Sequence, residues 1–384
     1  MSRILKSIVW LVSCALLSHC GRSVVKPLQT GQTGGENWLM AGADRARTSA
    51  IASEVPLPLQ EVARFKLSSA PAQSIFIRHG ILFVPTLDGR LFVIDLAAKK
   101  VLSKKKLPGG NAATLAIGDS ALVVASRYGK ETLFYHDLKK TRQIWDVDAG
   151  DIAGEPLLAD SAIYAAAIFN HIDAYRATDG VRLWRFDTEG QIYASPAMAE
   201  NHVIVATTKG KIYALHTRDG KKSWERDVQQ PVRASPVIRG QQVYVGTAHD
   251  LLVALDLTSG AEIWRKNLPA RVFHAPAVSD SLLLVGASDG VVYAFDRTNG
   301  EQKWSTRAFS VIGTSPLIAG NEVFFGSLDH HVYCVNTANG ELRWRQELNG
   351  RVRTNPLIWN KQLIIASEDR DLYIFGQPEN LGTN

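Results

Sequence analysis

The stretch from His274 to Thr306 reads HAPAVSDSLLLVGASDGVVYAFDRTNGEQKWST, and it decides the fold. Three apolar runs and a polar run around Trp304 are separated by turns such as Ser288-Asp289-Gly290 and Arg297–Gly300. Because Asp-Gly tolerates the positive φ of a tight hairpin, these runs are predicted to be four antiparallel strands. The turns are too closely spaced for a helix of three turns, so a parallel βαβ sheet is excluded.

The same unit recurs about every 40 residues along the chain. Six tryptophans are spaced by 39 or 40 residues: Trp145, Trp184, Trp224, Trp264, Trp304 and Trp344. Two further ladders share this register: Pro156, Pro196, Pro236, Pro276, Pro316 and Pro356, and Gly180, Gly220, Gly260, Gly300 and Gly340. Four short antiparallel strands in each period of this length are typical of a β-propeller blade. We expect each tryptophan to pack over the turn of its own or the adjacent blade.

The count of blades comes to eight. The tryptophan repeats occupy roughly residues 112–347, and Gln73–Lys106 repeats the pattern upstream with Ser103 in place of the tryptophan. Downstream, Asn355–Phe375 supplies three strands only, whereas Glu61–Leu67 offers a fourth from the other end of the chain. The sequence therefore predicts an all-β, eight-bladed β-propeller of four-stranded antiparallel blades, closed by an N-terminal strand, because closure removes open sheet edges.

The predicted domain organisation has four parts. Residues 1–20 form a signal peptide, residues 21–56 a flexible tether and N-terminal segment, residues 57–377 the propeller, and residues 378–384 a C-terminal tail. The apolar run of the leader is about a dozen residues long, which is too short for the ~20 helical residues that span a bilayer.

The end of the leader, Leu17-Ser18-His19-Cys20, resembles a bacterial lipobox, in which a small residue normally precedes the lipidated cysteine. His19 departs from that pattern; Leu11-Val12-Ser13-Cys14 fits it better but leaves a shorter signal. We take Cys20 as the candidate lipidation site. Gly21 rather than Asp follows it, as in lipoproteins sorted to an outer membrane.

Composition excludes several classes of protein. With 46% hydrophobic and 21% charged residues, the 384-residue chain has the balance of a folded protein rather than a disordered one. Of its three cysteines, Cys14 and Cys20 lie in the leader and Cys334 stands alone, which excludes a disulfide framework and a multi-thiolate metal site. The net charge of +6 is mild and gives no reason to expect a nucleic-acid partner.

The repeats resemble those of the PQQ-like β-propeller superfamily. The resemblance is carried by Val243–Gly246, Val253–Asp256, Ser259-Gly260 and Trp264 and their equivalents, and Asn37–Thr48 is similar to the segment that precedes many such propellers. Two branches matter here. Quinoprotein dehydrogenases hold pyrroloquinoline quinone and Ca²⁺ at the channel mouth, whereas BamB-type lipoproteins are scaffolds of the outer-membrane β-barrel assembly machinery. The leader, tether and length are similar to those of the second branch.

The residues before the ladder prolines are expected to face the channel mouth. They are Glu155, Ser195, Ser235, Ala275, Ser315 and Asn355. One carboxylate and one amide far apart in the ring make a poor Ca²⁺ site. The vicinal cysteine pair of quinoprotein alcohol dehydrogenases is absent, and His330-His331 fits two solvated turn histidines better than a metal site. We therefore predict no catalytic residue, no metal and no cofactor, neither pyrroloquinoline quinone nor calcium.

The loops at the predicted channel mouth also carry Tyr193, Arg233, His274 and Arg353. Their charge is suited to an anionic ligand or to the acidic strand of a partner, and ordinary loop polarity is the alternative explanation. We predict an exported, monomeric, non-enzymatic scaffold with protein partners, on the periplasmic face of an outer membrane or in the soluble periplasm. A quinone-dependent periplasmic dehydrogenase and a ligand- or polysaccharide-binding propeller are the alternatives.

Overall fold

The computed structural model describes residues 35–110, 113–159 and 161–377. Their 33 strands form eight sheets around a central channel, which confirms the predicted eight-bladed propeller. None of the described residues is helical, so none belongs to a helix that could cross a membrane.

Blades 1 to 4 are numbered along the chain, and the strands of each run outward from the channel. Blade 1 contains β3 (Phe76–Arg78), β4 (Ile81–Pro85), β5 (Arg90–Asp95) and β6 (Lys100–Lys106). Blade 2 contains β7 (Thr114–Ile117), β8 (Ala121–Ala125), β9 (Leu133–Asp137) and β10 (Arg142–Val147). Blade 3 contains β11 (Leu157–Ala159), β12 (Ala162–Ala167), β13 (His171–Arg176) and β14 (Arg182–Asp187). Blade 4 contains β15 (Ala197–Ala199), β16 (His202–Ala206), β17 (Lys211–His216) and β18 (Lys222–Asp227).

Blades 5 to 8 complete the ring in the same order. Blade 5 contains β19 (Val237–Arg239), β20 (Gln242–Gly246), β21 (Leu251–Asp256) and β22 (Glu262–Asn267). Blade 6 contains β23 (Ala277–Val278), β24 (Leu282–Gly286), β25 (Val291–Asp296) and β26 (Gln302–Arg307). Blade 7 contains β27 (Leu317–Ala319), β28 (Glu322–Gly326), β29 (His331–Asn336) and β30 (Leu342–Glu347), with β1 (Ala50–Ile51) parallel to β27. Blade 8 contains β31 (Leu357–Trp359), β32 (Gln362–Ala366), β33 (Asp371–Gly376) and β2 (Gln60–Lys66).

Blade 8 joins the two ends of the described chain. Strand β2 pairs antiparallel with β33, with Gln60 opposite Gly376 and Lys66 opposite Asp371. Lys66 Nζ lies 3.1 Å from a carboxylate oxygen of Asp371, at the end of this ladder. The N-terminal strand therefore closes the ring as predicted.

Each ladder tryptophan joins its own blade to the following one; Trp145, for example, stacks on Tyr135 of its own blade at a ring-centroid distance of 5.4 Å. In the first five, the indole covers the glycine of the next blade's last turn, and Nε1 donates a hydrogen bond to a backbone carbonyl of that turn. The pairs are Trp145 to Ala177 (2.8 Å), Trp184 to Thr217 (2.9 Å), Trp224 to Leu257 (2.8 Å), Trp264 to Arg297 (2.9 Å) and Trp304 to Thr337 (2.8 Å). Trp344 donates across the closure to Leu59 (3.1 Å). The ladder therefore joins successive blades, because a buried indole N–H needs such an acceptor.

The segment from Trp38 to Ile51, here called the plug, crosses one end of the channel. Its backbone bonds to the inner strands of six blades. Trp38 and Ile77 exchange two backbone hydrogen bonds. The backbone N–H groups of five further inner-strand residues donate to plug carbonyls: Ile117 to Leu39, Met198 to Arg45, Ile238 to Ala46, Val278 to Thr48 and Ile318 to Ser49. These bonds satisfy inner-strand amides that no fifth strand covers. Residues 38–51 thus pack against the inner strands of the ring, whereas the predicted tether up to residue 34 lies outside the described residues.

Substituting Gly300 with alanine is predicted to weaken the ring more than the same change at Gly240. Both glycines have positive φ, +70° and +57°, so both variants bear a similar backbone cost of about 1 kcal/mol. A Cβ at Gly300 would lie 2.8 Å from the Trp264 indole, whereas one at Gly240 meets nothing within 4 Å. We expect G300A to lose about 1–3 kcal/mol more stability in urea unfolding. Equal losses would contradict a structural role for this contact.

A second prediction concerns His136 in β9, which is 3% exposed and has no hydrogen-bond partner for either ring nitrogen among the described residues. Burial lowers the pKa of His136 to about 4. In the unfolded chain this histidine binds a proton near pH 6.5, whereas in the folded chain it stays neutral until about pH 4. The free energy of unfolding therefore falls as the pH drops from 7 towards 4, by up to about 3 kcal/mol. His136→Leu should flatten this part of the pH profile, whereas His330→Asn, at an exposed histidine, should leave it unchanged. Parallel profiles for His136→Leu and the unmodified protein would refute the assignment.

Candidate functional site at the channel mouth

The two faces of the ring differ. Because neighbouring strands are antiparallel, the connections between blades and the turns between second and third strands lie at one end, here called the connection face. The turns between first and second strands lie at the opposite end, where the plug sits; Asn37 Oδ1, for example, accepts from the His79 backbone N–H at 2.7 Å. A cavity of about 270 Å³ remains in the channel between the plug and the connection face.

The residues before the ladder prolines line this cavity: Glu155, Ser195, Ser235, Ala275, Ser315 and Asn355. Several of them bond to their equivalents in the next blade. The backbone N–H groups of Glu155, Ser195 and Ser315 donate to the side-chain oxygens of Ser195 (2.9 Å), Ser235 (3.0 Å) and Asn355 (2.9 Å). Ala275 has no side-chain oxygen and interrupts the series. These bonds hold the cavity wall to a defined diameter.

The four residues predicted for the channel mouth lie close together. Tyr193, Arg233 and His274 line the cavity, and Arg353 lies in an adjoining cleft that His274 shares. The Arg233 guanidinium is 4.7 Å from the Tyr193 ring centroid, a cation–π contact. Arg353 forms an ion pair with Glu368.

His274 accepts a hydrogen bond at Nδ1 from the Gln73 amide, 2.8 Å away. Burial in the channel wall, with a smaller contribution from the Arg353 charge, lowers the pKa of His274 to about 4. His274 is therefore a neutral hydrogen-bonding group at neutral pH, and the positive charge of the mouth comes from arginine.

Arg47, in the plug, is the cavity residue that the sequence reasoning missed. Its side chain is 2% exposed; Nε donates to the Pro196 carbonyl at 2.8 Å and Nη1 contacts Glu155 Oε2 at 2.8 Å. Arg47 belongs to the Asn37–Thr48 segment that the sequence singled out, but nothing local places it in the channel beside residues over a hundred positions away.

The remaining predicted residues lie elsewhere. His330 is exposed in a turn, and His331 Nδ1 lies 2.9 Å from the Asp329 carbonyl oxygen. No three His, Cys, Asp or Glu side chains converge as metal ligands within residues 35–377 as far as the structure describes them. Cys20 and the C-terminal tail lie outside the described residues.

The cavity does not fit a quinone–calcium pair. Ca²⁺ takes six to eight oxygen ligands, including carboxylates. Among the described residues that line the cavity, Glu155 is the one carboxylate, and Arg47 already holds it. The hydroxyls of Ser195 and Ser235 accept from backbone amides of the wall. This donor set suits an anion better than a cation.

Ser235→Ala is predicted to loosen the cavity wall. It removes the acceptor of the Ser195 backbone N–H, so that this partly buried donor loses its partner. We expect a loss of about 1–2 kcal/mol in denaturant unfolding. Ser305→Ala, at an exposed position of β26, is the matched control and should change stability by less than about 0.5 kcal/mol. Similar values for the two variants would show that the wall bond contributes nothing.

Solved structures share the fold at low sequence identity. BamB from Moraxella catarrhalis is 19% identical, with a TM-score of 0.73 over 83% of this chain and 100% of that one. The quinohemoprotein alcohol dehydrogenase from Comamonas testosteroni is 14% identical, with a TM-score of 0.76 over 89% of this chain and 81% of that one. The computationally designed Ika8 protein is 16% identical, with a TM-score of 0.75 over 83% and 99%. An enzyme, an assembly factor and a design thus share one ring, so the ring alone does not define activity.

The sequence family is more specific. No curated protein sequence is significantly similar to the chain. A family model described as outer membrane protein assembly factor BamB matches residues 129–248, 229–327 and 310–377, which together run without a gap over more than half of the chain. The chain therefore belongs to the BamB outer membrane protein assembly factor family of PQQ-like β-propellers.

Proposed function

We propose that this protein is a non-enzymatic scaffold of outer-membrane β-barrel protein assembly, and that its connection face docks a protein partner. Membership of the BamB family supports the process, and the distribution of exposed aromatic side chains supports the face. The described residues that line the cavity offer no donor set suited to a quinone–calcium pair, so we propose no dehydrogenase activity.

The observation that carries the proposal is an exposed apolar rim on the connection face. The rim consists of Leu87, Tyr128, Phe169, Phe273 and Phe309, which are 41–79% exposed. Leu87, Tyr128 and Phe169 lie in turns between second and third strands, and Phe273 and Phe309 lie in connections between blades. The exposed aromatic side chains of the described residues all belong to this rim, whereas the other large exposed aliphatic side chains lie on or next to outer strands. Exposed aromatic side chains confined to one face indicate an interaction surface, because aromatic residues are enriched at protein interfaces.

Arginines beside the exposed aromatics indicate a protein as the partner. The guanidinium carbon of Arg127 lies 5.5 Å from the Tyr128 ring centroid, and that of Arg345 lies 5.5 Å from the Phe309 ring centroid. Arginine and aromatic residues are enriched at the energetic centres of protein interfaces, where a partner excludes water from them.

The first described residues of the chain lie at the plugged face, opposite the rim. Glu36 Oε2 accepts from the Asn360 backbone N–H at 2.9 Å, in a turn at the plugged face. If Cys20 carries a lipid, the described chain begins at the plugged face, which leaves the connection face free to meet a partner. Mass spectrometry of the mature N-terminus tests this part of the proposal.

The proposal predicts that the rim is needed to capture β-barrel assembly components from detergent-solubilised envelopes. The double variant Phe169→Ser, Phe309→Ser removes two anchors and should lower the recovery of identified components at least tenfold. Leu183→Ser with Ile263→Ser removes two exposed apolar side chains, 44% and 43% exposed, from outer strands, and should leave recovery unchanged. Mass spectrometry identifies the recovered proteins. The proposal fails if the unmodified protein recovers no assembly component, or if both double variants behave alike.

A further inference from the structure

We propose that the channel cavity behind the plug binds a small organic monocarboxylate, with the Arg47 guanidinium as its anion anchor. This inference is independent of the scaffold function. It concerns the interior of the channel, whereas partner docking concerns the apolar rim, of which Leu87 and Phe273 also border the cavity.

The first observation is an unsatisfied charged donor. Arg47 lines the cavity, and while its Nε and Nη1 have partners, its Nη2 is buried with no hydrogen-bond partner among the described residues. A buried guanidinium N–H without an acceptor is unfavourable, because no hydrogen bond replaces the one it made to water in the unfolded chain. The backbone of Arg47 also has φ +60°, an unfavourable value for a residue with a Cβ. A bound carboxylate would supply the missing acceptor, since planar guanidinium and carboxylate groups match in geometry.

The second observation is the charge balance. Among the described residues that line the cavity, the charged side chains are Arg47, Glu155 and Arg233. Glu155 pairs with Arg47, His274 is neutral at pH 7, and Arg353 in the adjoining cleft pairs with Glu368. The positive charge of Arg233 therefore remains unpaired, and its guanidinium lies over the Tyr193 ring. A ligand with a single negative charge would balance it.

The third observation is that the cavity wall contains both polar and apolar side chains. Hydroxyl groups of Ser195, Ser235 and Ser315 lie among the lining residues, and Phe76, Leu115 and Phe273 line it as well. A ligand that fills the cavity needs a polar end and an apolar body. The volume of about 270 Å³ is just below the range of drug-sized ligand pockets, which suits an acid with one ring or a short chain.

Benzoate is a suitable probe, and benzamide is its uncharged counterpart of the same shape. Calorimetric titration of the mature, full-length protein should show saturable, one-to-one binding of benzoate, and binding of benzamide at least tenfold weaker. Benzoate should also raise the unfolding temperature, because it binds the folded state alone. Absence of saturable benzoate binding, or equal affinity for benzamide, would overturn the proposal.

Two arginine variants locate the site. Arg233→Gln removes the positive charge at the cavity mouth and should weaken benzoate binding at least threefold, whereas Arg271→Gln, at an exposed arginine of the connection face outside the cavity, should leave affinity unchanged. Arg47→Lys keeps the charge but loses Nη2, and should weaken benzoate at least tenfold; circular dichroism shows whether it folds. If Arg47→Lys does not fold, the site is tested by comparing the benzoate affinities of Arg233→Gln and Arg271→Gln. Equal affinities of these two variants would refute the site. Arg233→Gln keeps the rim intact and should still recover β-barrel assembly components from solubilised envelopes. This measurement distinguishes a failure of the ligand proposal from a failure of the scaffold proposal.

Discussion

The contact between each ladder tryptophan and the next blade is the constraint on which the ring depends. An isolated four-stranded blade would leave both apolar faces in water, so it is stable only when neighbours cover it. The indole of Trp264, for example, covers Gly300 and donates to Arg297, and so fixes the distance and the rotation between blades 5 and 6. Trp344 makes the equivalent bond to Leu59, next to the closing strand, and thereby ties the two ends of the described chain together. The same device thus builds the ring and closes it.

The plug closes one end of the channel, so that the channel becomes a cavity open at the connection face. Its backbone satisfies inner-strand amides at one end, and its side chains then form the inner wall of the cavity at the other. Arg47 reaches the channel only because Trp38 is anchored at blade 1 and Ser49 at blade 7. The chemistry of the channel therefore depends on a segment that is not part of any repeat. Rings of the same shape can differ in this segment and in their loops, which explains how one fold accommodates enzymes, assembly factors and designs.

The two proposals assign different tasks to neighbouring parts of one face. The apolar rim offers area and aromatic anchors for a protein, whereas the cavity inside it offers one unbalanced positive charge for a small anion. Of the four mouth residues named from the sequence, Tyr193, Arg233 and His274 line the cavity directly, because their loops precede inner strands and the ladder proline fixes their register. The neutral state of His274 and the pairing of Arg353 with Glu368 depend on burial and on a neighbouring loop, which the ladder does not reveal.

The sequence by itself determined the number of blades, the four strands in each and the closing strand, because turn chemistry and strand periodicity are local and recur in one register. It left open whether Trp145 and its equivalents bind their own or the adjacent blade, since that choice depends on the angle between sheets. Only the tertiary structure decided that Arg47 meets Glu155 and Pro196, which lie 108 and 149 positions away. Side chains meet in the channel because the ring closes, and ring closure is a property of the whole chain rather than of any single repeat.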